Sequence, residues 1–346
     1  MKKKFVIVVG LLSCLSFSLL KTIKLSYPKH FPEPTYSFTQ NPLTENKIEL
    51  GRALFYDPIL SRDNSISCSS CHTSHNAFAH TDHDLSHGIG DSIGNRNAPA
   101  LMNLAWQKSF MWDGAVNHLD VQALAPIDHP KEMGEKLSNV IRKLRKGSIY
   151  PNLFNNAYGD SNISSERLLK ALSQFQLTLV SANSVYDKVK RGEIIFTKQQ
   201  KKGYTLFKKN CNSCHTEPLF SSYEFANNGL PIDSTLMDYG KGNITQLSKD
   251  SLTFKIPTLR NLSYSYPYMH DGRFEKLYEV INHYSGAKFE SKTLDARIKK
   301  PIKLTDNEKV ELIAFLLTLN DKEFVSNPKF KFPRKILLPT KGSAKK

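Results

Sequence analysis

Cys68-Ser69-Ser70-Cys71-His72 and, further along, Cys211-Asn212-Ser213-Cys214-His215 both read Cys-x-x-Cys-His. In this pattern two thiols bond the vinyl groups of a haem and the adjoining histidine takes its iron. A second matching block follows each copy. One runs from Pro99-Ala100-Leu101-Met102-Asn103-Leu104 to Trp112-Asp113-Gly114, the other from Pro257-Thr258-Leu259-Arg260-Asn261-Leu262 to His270-Asp271-Gly272. Pro99 and Pro257, Asn103 and Asn261, Asp113 and Asp271, and Leu119 and Leu277 all stand 158 residues apart. The chain therefore reads as an internal duplication of two cytochrome c-like domains, with two covalently bound haem c groups.

Other readings of Cys-x-x-Cys fit less well. A redox dithiol needs no following histidine, and a zinc site would pair its cysteines without two equivalent histidine neighbours. Of the five cysteines, four belong to the two motifs and Cys14 lies in the leader, so no disulfide framework remains. Haem c is assembled on the outer side of the cytoplasmic membrane, and the N-terminus agrees with export. Met1-Lys2-Lys3-Lys4 precedes an apolar run from Phe5 to Leu20, then Lys21 and Lys24. No small-x-small cleavage site follows clearly, and Leu11-Leu12-Ser13-Cys14 resembles a lipoprotein box only loosely. An apolar run of 16 residues is short for a bilayer span. The expectation is a periplasmic protein, with a membrane tether left open.

The formal charge of +16 makes the folded part basic. Such a surface attracts an acidic redox partner or anionic lipid. Nucleic acid is set aside, because no recognition motif accompanies the charge.

The fold class expected is all-α with long loops. Thr305-Asp306-Asn307-Glu308 is a capping box, and Val310, Ile313, Ala314 and Leu317 continue it at helical spacing to about Asn320. Thr197 and Gln200 open a similar helix that leads into the second motif. Leu168, Leu169, Leu172, Phe175 and Leu179 mark a helix closing the first domain. The stretches Gly88 to Asn97 and Asn227 to Gly242 read as loops. The domains are then a leader (1–25), a linker (26–45), a first haem domain (46–190), a second haem domain (191–325) and a Pro- and Lys-rich tail (326–346).

From about Leu50 to Tyr284 the chain resembles the bacterial di-haem cytochrome c peroxidase family, including its MauG relatives. The resemblance rests on Gly51-Arg52-Ala53-Leu54-Phe55, Asp57-Pro58, Arg96-Asn97-x-Pro99, Phe110-Met111-Trp112-Asp113-Gly114, Gln122-Ala123, Glu132-Met133-Gly134 and Pro267-Tyr268-Met269-His270-Asp271-Gly272. It implies a peroxide site at the N-terminal haem, with Glu132 as acid/base and Gln122 orienting peroxide or water. It implies further that Trp112 lies between the haems as an electron relay. Asn97, Ser265 and Pro267 match the family's calcium site, whose oxygen ligands suit that hard cation. Read without the family, Glu132 is a loop carboxylate, Gln122 an exposed helix residue and Trp112 a core aromatic.

The sixth iron ligands depart from the peroxidase majority. Many of those enzymes place a histidine opposite the first haem at rest. Counting back from Arg96-Asn97 puts Ile89 there, with His87 two residues off. Either His87 binds through a shifted loop or the haem stands open, and the ungapped match favours the open form. At the second haem the family's methionine position, fourteen residues after His270, holds Tyr284. This resembles the MauG arrangement, with His215 and Tyr284 as axial ligands, and a phenolate would lower that haem's potential. Met269, Met237 and His283 are the fallback ligands.

Three functions follow from the resemblance. The first reduces hydrogen peroxide to water at the His72 haem, with electrons from a small cytochrome c or cupredoxin relayed through the His215 haem. The second, MauG-like, oxidises side chains of a partner protein. The third is a non-catalytic dihaem electron carrier, against which Glu132 and Gln122 argue. A homodimer is left open.

Overall fold

A computed structural model describes residues 21–338. Residues 1–20 of the leader, including Cys14, and the last lysines lie outside the described residues, while Ile23 N–H, still within the expected leader, bonds the Leu43 carbonyl at 2.9 Å. No helix among the described residues is long and apolar enough to cross a membrane.

The fold is helical, with two cytochrome c-type units joined end to end. Among the described residues the one sheet is a pair of two-residue strands, Phe225–Ala226 antiparallel to Phe254–Lys255. In the first unit the helix Glu45–Tyr56, capped by Thr44, crosses the helix Ser165–Leu177, capped by Ser164. In the second, Lys198–Asn210 crosses Asp306–Leu316, and both begin with the capping boxes read from Thr197/Gln200 and Thr305/Glu308. A glycine makes each crossing close. A Cβ on Gly51 would meet the Ala171 carbonyl oxygen at 1.9 Å, and one on Gly203 would meet that of Glu311 at 1.9 Å. Only a residue without a side chain lets the two backbones approach so far. The duplication is thus written into packing as well as into motif spacing.

Two aromatic-rich cores result. Leu50, Leu54, Phe55, Phe78, Phe154 and Phe175 fill the first, and Tyr186, Phe207, Phe220, Phe315 and Leu319 the second. Between the units the backbone exchanges reciprocal hydrogen bonds. Asn97 N–H donates to the His270 carbonyl and Lys255 N–H to the Trp112 carbonyl, each at 2.7 Å. Asn97 and Lys255 stand 158 residues apart, as do Trp112 and His270.

The segments at either end differ from expectation. Residues 26–45 are not a free linker: Phe31 and Leu43 are buried with Leu104, Trp106 and Phe110, and Trp106 Nε1 donates to the Pro32 carbonyl at 2.7 Å. Residues 326–338 are not a free tail either. Phe324 and Phe330 enter the first unit's core beside Phe78, and Tyr56 Oη donates to the Phe330 carbonyl at 2.6 Å. The chain leaves the second unit and returns to cover the first. Burying two phenylalanines, each worth roughly 1.5–3 kcal/mol, offsets the cost of ordering a segment with little regular structure.

Candidate functional site: a shared haem cavity

One cavity of about 630 Å³ runs between the two motifs. Its walls carry Cys71 and His72 at one end and Cys211, Cys214 and His215 at the other, with Trp112 and His270 from the repeated blocks between them.

Each motif is built to present an imidazole. Cys68–Cys71 forms one helical turn with a Ser67/Ser70 capping box, and the Lys198–Asn210 helix runs straight into Cys211. The His72 Nδ1 lies 2.7 Å from the Phe78 carbonyl, and the His215 Nδ1 lies 3.1 Å from that of Pro257 and 3.3 Å from that of Phe220. A carbonyl can only accept, so Nδ1 carries the proton and Nε2 keeps its lone pair for a metal. Burial pushes both histidines down to about 4, so the ligating, neutral form prevails at neutral pH. Burial likewise pushes the thiols up, Cys68 and Cys211 to about 12 and Cys71 to about 11. A redox dithiol needs a lowered thiol pKa, the opposite of what is found. Imidazoles with a fixed tautomer at both ends of one cavity fit two covalent haems.

At the His72 end the cavity is lined by Gln122, Glu132, His129 and Pro126. Gln122 ends the short helix Leu119–Gln122, and its Nε2 lies 3.7 Å from the Met111 sulfur. Glu132 sits on a turn whose carbonyl accepts from Ile89 N–H at 2.8 Å. Gly88 permits that approach, since a Cβ there would stand 2.1 Å from the Lys131 carbonyl oxygen. The Glu132 side chain is 37% exposed, its Oε1 is 3.7 Å from His129 Nδ1, and burial raises its carboxyl above the ordinary range despite His129.

Neither His87 nor Ile89 lines the cavity among its described walls. The His87 ring stacks on His83 at 4.1 Å and its Nδ1 is 2.7 Å from Asp91 Oδ1, while Ile89 is buried under Gly134.

At the His215 end Tyr284, from the helix Leu277–Ser285, lines the cavity, and burial pushes its phenol up to about 12. His283 points elsewhere, with Nε2 2.9 Å from the Asn228 carbonyl. Met269 also lines the cavity, its sulfur 3.5 Å from Asn228 Nδ2, whereas Met237 is 51% exposed and lies outside it.

The middle holds Asn97, Ser265 and Pro267 on the cavity wall. The Trp112 indole N–H donates to the Asn97 carbonyl at 2.9 Å. No group of three His, Cys, Asp or Glu suited to a metal occurs among the described residues, so any cation here would rely on amide, hydroxyl and carbonyl oxygens.

Three features escaped the sequence reading. Arg96 bridges the units, bonding Asp238 through Nε (2.6 Å) and Nη2 (2.8 Å) and Asp113 through Nη1 (2.6 Å). Lys255 is half-buried in the cavity wall, donating to Gln107 Oε1 and the Ser109 carbonyl at 2.8 Å each; desolvation pushes it down to about 7 against the pull of Asp113. Arg260 and Asp187, both fully buried, form a bidentate pair at 2.8 Å. Arg96 was read only as part of the Arg96-Asn97-x-Pro99 run, and Arg260 left a trace of its own: it stands where the first repeat has Met102, an apolar-to-charged exchange inside a repeated block.

Two cytochrome c-type units around one haem-sized cavity define a di-haem c-type cytochrome. The family description "Di-haem cytochrome c peroxidase" matches residues 45–194, and "Cytochrome c" matches residues 200–320. The methylamine utilization protein MauG of Methylorubrum extorquens is 36% identical over 302 residues, covering 84% of this chain and 82% of that protein. Cytochrome c peroxidase Ccp of Escherichia coli is 34% identical over 302 residues, covering 85% of this chain and 62% of its own length. A MauG-like protein associated with microbial copper homeostasis superposes with a TM-score of 0.81 at 31% identity, over 90% of this chain and 99% of that one. The chain belongs to the di-haem cytochrome c peroxidase/MauG family and is an oxidoreductase of the cytochrome c peroxidase type.

Proposed function

We propose that this chain is a peroxide-consuming enzyme of the periplasm, reducing hydrogen peroxide to water at the His72 end with electrons from a small redox protein entering at the His215 end. The observation that carries this reading is the position of Glu132 and Gln122 on the wall that also holds His72. Cys68, Cys71 and His72 would hold one haem c and Cys211, Cys214 and His215 the other, and these groups would supply the chemistry of peroxide reduction at the first end and of electron transfer at the second.

The remaining work falls to side chains. Reduction of one peroxide to two waters consumes two electrons and two protons, and one proton must first leave the oxygen that stays behind. Glu132 takes that proton and delivers it to the departing oxygen, for which a raised carboxyl pKa is an advantage. Gln122 holds the incoming molecule by its amide. Trp112 joins the two ends, with its indole fixed by the Asn97 carbonyl. Asn97, Ser265 and Pro267 offer the oxygens for a calcium ion that steadies this middle region.

Glu132→Gln keeps the shape and removes the base. We expect turnover of peroxide with reduced cytochrome c to fall by about 10²–10⁴, with both haems retained in a pyridine haemochrome assay. Full turnover by this variant would remove Glu132 from the reaction and with it the peroxidase reading.

A second reading is favoured by one observation, Tyr284 in the cavity beside His215. A phenolate there favours oxidised iron, which suits a MauG-like enzyme that oxidises side chains of a partner protein. Rapid turnover with reduced cytochrome c favours the first reading, and slow turnover with a long-lived oxidised state favours the second.

A further inference from the structure

We propose that a lysine rim at the mouth of the His215 end docks an acidic redox protein, an inference that rests on the function proposed above and names the chemistry of its partner. The rim is the segment from Asp295 to Leu304. Asp295, Ile298, Ile302 and Leu304 line the cavity wall, while Lys299, Lys300 and Lys303 between them are exposed. Ile302 N–H donates to the Tyr284 carbonyl at 3.0 Å, and Arg297 Nη1 donates to the Ser213 carbonyl, inside the second motif, at 3.3 Å. The rim therefore rests on the groups that hold the second redox centre.

Its charge is uncompensated. Arg297 is committed to Asp295 and Glu224. Among the described residues, Lys299, Lys300 and Lys303 have no carboxylate within 4.0 Å, and neither has Lys209 at the end of the helix that enters the motif. Three exposed ammonium groups within five residues, on the lip of a buried redox site, form a local field that a general excess of surface lysine does not. The opposite end of the cavity is mixed in sign: the loop beside Cys71 carries exposed Asp82, Asp84 and Asp91, the last paired with His87, and the Glu132 turn carries exposed Lys131. A partner with an acidic face is thus attracted to the lysine rim in particular, which is how charge complementarity selects orientation.

The test uses the holo-protein and one probe in two charge states, horse-heart cytochrome c in its native basic form and after full succinylation, which makes it acidic. Binding is measured by calorimetry, independently of turnover, from about 0.01 M to about 0.15 M ionic strength, where the screening length falls from about 30 Å to about 8 Å. We expect the succinylated form to bind at least about tenfold more tightly than the native form at low salt, and to lose that advantage at high salt. Lys299→Glu/Lys300→Glu/Lys303→Glu should weaken the succinylated complex about tenfold or more. The same reversal at Lys322, Lys329 and Lys331, on the C-terminal segment that covers the first unit, should leave it unchanged.

Preference for native cytochrome c, or equal loss in both triple variants, overturns the proposal. So does a triple variant that loses binding to phosphatidylglycerol vesicles while still binding the succinylated protein, since the rim would then be a lipid contact. If neither form supports peroxide turnover yet binding follows the expected pattern, the peroxidase reading fails and the docking surface stands.

Discussion

Asp187→Asn tests how the second unit is held together and packed on the N-terminal segment. Asp187 and Arg260 are both fully buried, and their bidentate bonds are 2.8 Å each. Arg260 comes from the second unit's repeated block and stacks over Phe31 of the N-terminal segment, Tyr186 and Phe220. Asp187 also accepts from Ser184 N–H at 2.9 Å and lies 3.0 Å from His30 Nε2. An asparagine retains one acceptor and turns the other oxygen into a donor facing the guanidinium, which stays charged. Leaving such a charge without its partner costs about 3–5 kcal/mol. In thermal unfolding of the holo-protein followed by circular dichroism, the midpoint should drop by roughly 5–15 °C. Asp187→Leu/Arg260→Met, which removes both charges and fills the same space, should recover most of that loss. A single variant that melts within about a degree of the parent, instead of showing that fall, would refute the argument that this pair secures the packing of the second unit on the N-terminal segment.

The same carboxylate sets a pH dependence. Burial alone would raise the Asp187 carboxyl, but Arg260 outweighs it and holds it down at about 2, below its ordinary 3.8. A depressed carboxylate contributes its full stability above the unfolded value and loses it as pH falls through the folded one, so about 2 kcal/mol should disappear between roughly pH 4 and pH 2. Acid titration of the unfolding free energy checks this, and the loss should be absent from the Leu/Met double variant. Phe330→Ala should destabilise the protein by about 3–5 kcal/mol, because the side chain is buried against Phe78 and Phe324; denaturant unfolding reads it. Tyr284→Phe should change the optical and electron paramagnetic spectrum of the His215 haem alone, with the His72 haem unaltered. Peroxide turnover should decline as pH falls through the raised Glu132 value, and that acid limb should vanish in Glu132→Gln.

What could be read from the sequence follows from how local each signal is. The two Cys-x-x-Cys-His runs, and the 158-residue offset between the blocks that follow them, are short, rigid patterns, and they located both motifs and the duplication behind the fold. Helix starts at Thr197 and Thr305 were legible because a capping box is a four-residue contact. Counting fourteen residues from His270 gives Tyr284 and not its neighbour His283; Tyr284 lines the cavity, whereas His283 bonds the Asn228 carbonyl. Phe31, Phe324 and Phe330 were hidden, since isolated aromatics among prolines and lysines have no period and are buried only by residues hundreds of positions away. Lys255 was hidden for a related reason: nothing in Phe254-Lys255-Ile256 distinguishes a surface lysine from one bonded to Gln107 and Ser109.

The crossed backbone bonds from Asn97 to His270 and from Lys255 to Trp112 have a bearing on ancestry. Residue i of one half meets residue j of the other while j meets i, which is the rule of an isologous contact in a two-fold dimer. The junction thus has the pattern of two related one-motif units fused into a single polypeptide. Fusion lets each half change alone, and at one station the first copy has a tryptophan and the second a histidine. The side chains differ there while the crossed backbone bonds still match.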